Sequence, residues 1–194
     1  MGLTIHYSGK FNPSSSLKEM VEEVKDIAEI YNWEYHIYET DFPVGSLGEE
    51  NYDGEIYGIY IIPPNCEPVY LTFLSNGRMA NEIGLKLWGN AIDPKEKSFL
   101  FMLFTKTQFG GSEIHKLIIH LLKYLKEKYF AELNVYDEGK YWETGDEKLL
   151  DEIFERYNKI FDVVETALNN IPLKPNESYE EYFKRILKII NKKK

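Results

Sequence analysis

The chain has 194 residues, 43% of them hydrophobic and 28% charged, which suits one sizeable folded core. Its formal net charge is −9, and a field of that sign repels phosphate backbones, so no nucleic-acid partner is expected. Cys66 is the only cysteine, which excludes an intramolecular disulfide and a metal site made of cysteines alone.

Targeting and membrane segments are not expected either. No stretch approaches the roughly 18 apolar residues of a membrane span, and residues 3–7 are too short and too polar for a signal peptide. The chain is therefore expected to be cytoplasmic, without a membrane partner. Its richness in Lys, Glu, Ile and Tyr is typical of a thermophile or of an AT-rich genome.

Hydropathy patterns in the first half predict one helix among several strands. Ser16 and Glu19 form a capping box that opens an amphipathic helix over residues 17–31. Residues 41–54 are rich in glycine and are predicted to be a loop, and Asn76-Gly77 is typical of a two-residue hairpin turn. The predicted strands are residues 3–8, 33–39, 55–62, 68–75 and 78–88.

The second half is predicted to be mainly helical. A sixth strand over residues 98–107 ends before Gly110-Gly111, and a long helix follows over 112–130. A polar, aromatic loop over 136–146 separates it from two further helices. Apolar spacing and caps place these at residues 146–170 and after Ser178.

This order of elements, β-α-β-β-β-β-β-α followed by two C-terminal helices, predicts an α+β fold. One antiparallel sheet of five or six strands would be covered by the helix 112–130. A single domain is expected, with an α+β core over residues 1–130 and a loop and helical extension over 131–194.

Two resemblances accompany this prediction, and neither implies a function. The order of elements over about residues 3–130 resembles the helix-grip and TATA-binding-protein-like topologies. Two segments also resemble those of a small family of uncharacterised prokaryotic proteins, namely T-K-T-Q-F-G-G over 105–111 and D-E-G-K-Y-W-E-T-G-D over 137–146.

The leading functional hypothesis is a non-catalytic module that binds a small molecule or a protein. No nucleophile elbow, zinc-protease, Walker or kinase motif is present in the sequence. A cleft is expected where the strand end, the glycine turn and the acidic loop converge. Its binding residues would be Thr105, Thr107, Gln108, Glu113, His115, Asp137, Glu138, Tyr141, Trp142 and Glu143.

The alternative hypothesis is a metal-dependent hydrolase, and a divalent metal is the one cofactor considered. Carboxylates and an imidazole are suitable ligands. The predicted ligand set is Asp137, Glu138, Glu143 and His115. Glu138 or Glu143 would then act as the base for a metal-bound water. A structural interpretation competes with it, in which Thr144 or Asp146 caps the following helix.

A third hypothesis is a structural subunit of a homo-oligomer, such as a homo-dimer. The strands over 55–62 and 98–107 are apolar on both faces, and such strands are covered on both. The C-terminal helices, a second subunit or a ligand could supply the second cover. Cys66, with no base or helix N-terminus beside it in sequence, is not expected to be a nucleophile.

Overall fold

The computed structural model describes residues 2–192 and shows a mixed α+β fold, so the predicted fold class is confirmed. The chain divides into two compact units, with the boundary between Leu150 and Asp151. Both sheets belong to the first unit. Across residues 2–192, no helix has both the length and the apolar composition that a membrane crossing requires.

Two antiparallel sheets form the framework of the first unit, and each contains three strands within the described residues. In chain order the strands are β1 Thr4–Phe11, β2 Glu34–Ile37, β3 Tyr57–Ile62, β4 Val69–Phe73, β5 Leu103–Lys106 and β6 Phe130–Asp137. The first sheet has the order β5-β1-β6, and the second has the order β2-β3-β4. The prediction of one sheet with five or six strands is wrong, because β1 pairs with the distant β5 and β6.

Seven α-helices lie within the described residues, and the four longest agree with the predicted helices. They are α1 Leu17–Ile30, α2 Glu82–Trp88, α3 Pro94–Ser98, α4 Gly111–Tyr129, α5 Tyr141–Thr144, α6 Glu147–Asn170 and α7 Tyr179–Lys192. The amide of Glu19 donates to Ser16 Oγ over 3.2 Å, as the predicted cap of α1 requires. In the second unit, Tyr182 and Ile186 of α7 pack with Ile171.

The strand predicted over residues 78–88 is wrong, since most of this segment forms α2. The Asn76-Gly77 turn does form, and Met79 bridges back to Phe73 of β4 as in a hairpin. The returning chain then leaves the sheet, because the Asn81 side chain accepts a hydrogen bond from Gly84 N at 2.7 Å and caps a helix. Met79 N also donates to Gly9 O of β1 over 3.0 Å, which joins the two sheets.

Two further boundaries differ from the prediction. The strand expected over 98–107 begins as a 3₁₀ turn at Phe99–Phe101, and only β5 is extended. β6 was not predicted at all, although Leu133 and Val135 alternate with polar Glu132 and Asn134 in the manner of a strand. The strong helical periodicity just before β6 masked this shorter pattern.

The core of the first unit lies against one face of each sheet. Helix α1 contacts β3, and α4 contacts both β6 and α1. Along β1, Ile5 and Tyr7 are buried, whereas the alternating residues His6 and Ser8 are only half-buried. This alternation leaves the opposite face of the first sheet accessible to solvent.

Candidate functional site

Three of the predicted binding residues meet in one buried chain of polar contacts. Thr107 Oγ1 lies 2.7 Å from His115 Nδ1, and His115 Nε2 lies 3.0 Å from Asp137 Oδ1. Thr107 directly follows β5, His115 lies near the start of α4, and Asp137 is the last residue of β6. The chain of contacts therefore ties three elements together at one end of the first sheet.

A hydroxyl, an imidazole and a carboxylate in this order resemble a catalytic triad in composition. Their burial argues for a structural role, because Thr107 and His115 are 0% exposed and Asp137 is 2% exposed. A nucleophilic hydroxyl must reach its substrate, and that of Thr107 is enclosed by protein. The contacts instead stabilise the local fold.

Asp137 also organises the loop that follows β6. Its carboxylate accepts hydrogen bonds from the backbone amides of Gly139 at 2.7 Å, Tyr141 at 2.8 Å and Trp142 at 3.0 Å. Burial alone would raise the pKa of Asp137. The hydrogen bond and charge of His115, together with the backbone amides, outweigh burial and hold that pKa below its ordinary value.

Other predicted site residues fasten the start of β1. Gln108 Oε1 accepts from Leu3 N at 3.0 Å, and Glu138 Oε2 accepts from Thr4 N at 2.9 Å. The Thr105 hydroxyl donates to Pro68 O over 2.9 Å and lies 3.3 Å from the Tyr7 hydroxyl. Tyr141 is buried, whereas Glu113 and Glu143 are exposed and Trp142 is half-buried. The structure brings Thr107, His115 and Asp137 together, and it uses Thr105, Gln108 and Glu138 in hydrogen bonds within the fold.

The predicted metal ligands are not gathered into a site. Within residues 2–192, no group of three or more His, Cys, Asp or Glu side chains is placed to hold a metal ion. Asp146 Oδ1 accepts from Leu149 N at 3.1 Å, which is the helix-capping role of the competing interpretation. The metal-dependent hydrolase stays a prediction, without a ligand set in the described part of the chain.

Cys66 lies in the turn before β4 and is partly buried. Burial raises the pKa of its thiol to about 11. Gly110, the residue before α4, lies next to the Cys66 sulfur, and its backbone lowers this pKa by less than burial raises it.

An open groove of about 300 Å³ lies between β4, α2 and β5. We call it the aromatic groove. It is lined by Glu67, Pro68, Tyr70, Asn81, Ile83, Gly84, Trp88, Phe99, Met102 and Phe104. These residues come from both sheets, from α2 and from the 3₁₀ turn, so the fold of the first unit assembles the groove from distant segments.

Large apolar side chains remain exposed in this groove. Ile83 is 55% exposed, Met102 is 56% exposed and Phe104 is 54% exposed. Contiguous exposed apolar surface is uncommon in soluble domains unless it binds something. Trp88 and Phe99 pack against each other at the rear, with ring centroids 5.7 Å apart.

Close packing of α2 sets the shape of the groove. A Cβ atom at Gly84 would lie 3.3 Å from Leu100 O and 3.2 Å from Asn81 Oδ1. The glycine therefore allows α2 to approach the 3₁₀ turn closely while its amide completes the cap. This approach brings Trp88 of α2 beside Phe99.

The groove continues into an aromatic row on the open face of the first sheet. His6 pairs with Phe104 on one side and with Tyr136 on the other. The corresponding ring centroids are 6.2 Å and 5.9 Å apart, and Tyr136 is 65% exposed. We call these three residues the aromatic row. Cross-strand pairs of this kind present their rings on one face of a sheet.

A similar arrangement approaches the groove from the second sheet. His36, Tyr60 and Tyr70 lie opposite one another on β2, β3 and β4. The centroids of Tyr60 and Tyr70 are 5.5 Å apart, and Tyr70 lines the groove. The aromatic groove is thus flanked by aromatic side chains on both sheets.

The electrostatic character of the groove is negative. Glu67 is the one charged side chain among its lining residues, and Lys106 N donates to Glu67 Oε2 over 3.1 Å. Burial raises the pKa of Tyr70, and the charges of Glu82 and Glu67 raise it further. Two carboxylates therefore act on this wall of the groove.

A larger cavity of about 560 Å³ lies elsewhere in the first unit and is less suited to binding. Glu39, Glu55, Glu82 and Lys86 line it, and all four are exposed. Four charged side chains line this cavity and one lines the aromatic groove, and ligand sites are lined mainly by apolar and aromatic side chains. The smaller aromatic groove offers more apolar surface.

The strand predicted over residues 98–107 is apolar in both phases, so a second cover is expected for it. In the structure, Leu103 is buried, whereas Met102 and Phe104 face outwards. Tyr70 and Trp88 were not identified, because their position beside β5 depends on contacts between segments far apart in the sequence.

Comparison of the chain with known proteins finds no matching family model, no matching curated protein and no matching solved structure.

Proposed function

We propose that the protein is a non-catalytic binding module and that the aromatic groove, with the adjoining aromatic row, is its ligand site. The main observation in favour of this proposal is that Ile83, Met102 and Phe104 are exposed around a concave, mainly apolar cavity. Small-molecule sites typically combine such a cavity with a few polar groups. Glu67, Asn81 and the Tyr70 phenol supply polar groups to this one.

The chemistry of the lining residues favours binding over catalysis. The groove is lined by a carboxylate, an amide and a phenol, but by no histidine, cysteine or lysine. General acid–base and nucleophilic catalysis usually rely on those three types or on paired carboxylates. The triad-like set of Thr107, His115 and Asp137 is enclosed within the core.

Strand alternation relates this site to the one predicted from the sequence. Successive side chains of a strand point to opposite faces. Thr105 and Asp137 lie on the buried face, so their neighbours Phe104 and Tyr136 lie on the open face. The predicted residues thus support, from behind, the strands that present the aromatic row.

A methyl-detected NMR screen tests the proposal with controls inside the chain. Methionine methyl groups labelled with carbon-13 report separately on Met102 in the groove and on Met20 and Met79 in the core. A library of small aromatic and amine fragments should shift the Met102 signal and leave the two buried methyl signals unchanged. A library that moves none of these signals, or all of them equally, would contradict the proposal.

The exposed apolar surface of the groove could instead hold two copies of the chain together, as the homo-oligomer hypothesis requires. Sedimentation of the 22.8 kDa chain over a wide concentration range measures self-association directly. A binding module is expected to remain monomeric. A dimer that becomes monomeric when Phe104 is changed to alanine would instead assign the groove to a subunit interface.

A further inference from the structure

We infer that the ligand of the aromatic groove carries an alkylated ammonium group, of the kind found in choline-like organic cations. This inference rests on the proposed function and names the chemical class that the groove would select. Three features of the described residues support it: the aromatic wall, the charge of the groove and the pairing of neighbouring cations.

The wall presents four aromatic side chains around one cavity. Tyr70 comes from β4, Trp88 from α2, Phe99 from the 3₁₀ turn and Phe104 from β5. The face of an aromatic ring carries negative potential, so a cation placed over it is attracted. Cages of several rings recognise quaternary ammonium groups, whose methyl groups also bury apolar surface.

The charge of the groove matches a cation and opposes an anion. Glu67 is held at the rim by the Lys106 amide, and no Lys or Arg is among the groove-lining residues. Glu67 is exposed to solvent, so its attraction for a cation in the adjoining cavity is modest and screened by salt, but its sign favours a cation. An anionic ligand would meet Glu67 unfavourably in the same place.

Neighbouring cations of the protein are already stacked on rings outside the groove. The Arg78 guanidinium lies 3.3 Å from the ring centroid of Phe101, and Lys106 Nζ lies 5.5 Å from that of Phe109. Neither Phe101 nor Phe109 lines the groove. The cavity volume of about 300 Å³ is at the lower end of ordinary ligand sites and suits a small organic cation.

A pair of probes isolates the effect of charge. Choline and its uncharged carbon isostere, dimethylbutanol, have nearly the same shape but differ at the central atom. Each is titrated into the full chain while the Met102 methyl and Trp88 indole signals are followed at constant ionic strength. We expect choline to bind about tenfold more tightly than the isostere.

Two variants separate the roles of charge and ring. Glu67→Gln should weaken choline binding about twofold to fivefold and leave isostere binding unchanged. Trp88→Leu should weaken choline binding by about tenfold, since it removes an aromatic face while keeping apolar volume. Glu127→Gln, an exposed residue of α4, is the matched charge control and should change neither affinity. Melting curves establish that each variant is folded.

The outcomes separate this inference from the proposed function. Equal binding of choline and the isostere at Met102 would overturn the cation preference and leave the binding groove in place. If fragments shift the Met102 signal and choline does not, the cation preference is likewise overturned and the binding groove stays in place. If choline, the isostere and the whole fragment library leave Met102 unchanged, both the inference and the proposed function fail.

Discussion

At the scale of single residues, Asp137 organises the turn that follows β6. One carboxylate satisfies three backbone amides and contacts His115, and it is nearly inaccessible to solvent. Hydrogen bonds to a charged group contribute about 1.5–3 kcal/mol each, and loss of one partner leaves the others buried and unsatisfied. The loop 138–142 depends on this carboxylate.

Asp137→Asn should lower the free energy of unfolding by about 3 kcal/mol near neutral pH. The folded pKa of Asp137 lies below its unfolded value of about 3.9, so its ionisation stabilises the fold above that pH. The stabilisation is lost as the pH falls through the folded pKa. Urea unfolding of both proteins measures the difference, which should shrink when the pH is lowered to about 3.

Asp26→Asn is the control for this measurement, because Asp26 is exposed on α1. It should change the free energy of unfolding by less than about 0.5 kcal/mol at either pH. A difference between wild type and Asp137→Asn that is small, or that grows at low pH, would show that the carboxylate does not stabilise the loop as described.

At the scale of elements, the alternating side chains of β5 pack in the core on one face and line the aromatic groove on the other. Leu103 is 2% exposed and packs in the core, whereas Phe104 is 54% exposed and lines the groove. Burying a leucine contributes about 1.5–3 kcal/mol, while an exposed ring contributes much less. Adjacent residues of one short strand are thus expected to affect different properties.

Leu103→Ala should cost about 2–5 kcal/mol of unfolding free energy, because it leaves a cavity in the core. Phe104→Ala should cost less than about 1 kcal/mol, since its ring loses little buried contact. Chemical unfolding of the two variants under identical conditions measures both values. Equal losses of unfolding free energy in the two variants would contradict the assignment of Leu103 to the core and Phe104 to the exposed face.

At the scale of the whole molecule, local sequence patterns predict the helices and strands better than they predict which strands pair with each other. The α+β class, α1 and the C-terminal helices follow from spacing and caps such as Ser16. The separation into two sheets does not, because β1 pairs with β5 about a hundred residues away, and no local pattern encodes that choice. β6 was hidden behind the stronger periodicity of α4.

The same limit applies to the candidate site. His115 and Asp137 are predicted as binding or metal-ligating residues, and their burial in the structure could not be read from sequence. An apolar strand such as 98–107 shows that both faces are covered or used, without showing which face meets a ligand. That distinction required the register Phe104–His6–Tyr136 and the approach of α2 to β5.

The most direct test of the aromatic groove as the binding site compares two exposed phenylalanines. Phe104 lines the groove and Phe109 does not, and they are 54% and 64% exposed. The dissociation constant of the tightest fragment from the methyl-detected screen is measured for wild type, Phe104→Ala and Phe109→Ala. We predict a loss of about tenfold or more for Phe104→Ala alone. Equal affinities in all three proteins, or an equal loss in both variants, would contradict the assignment of the groove.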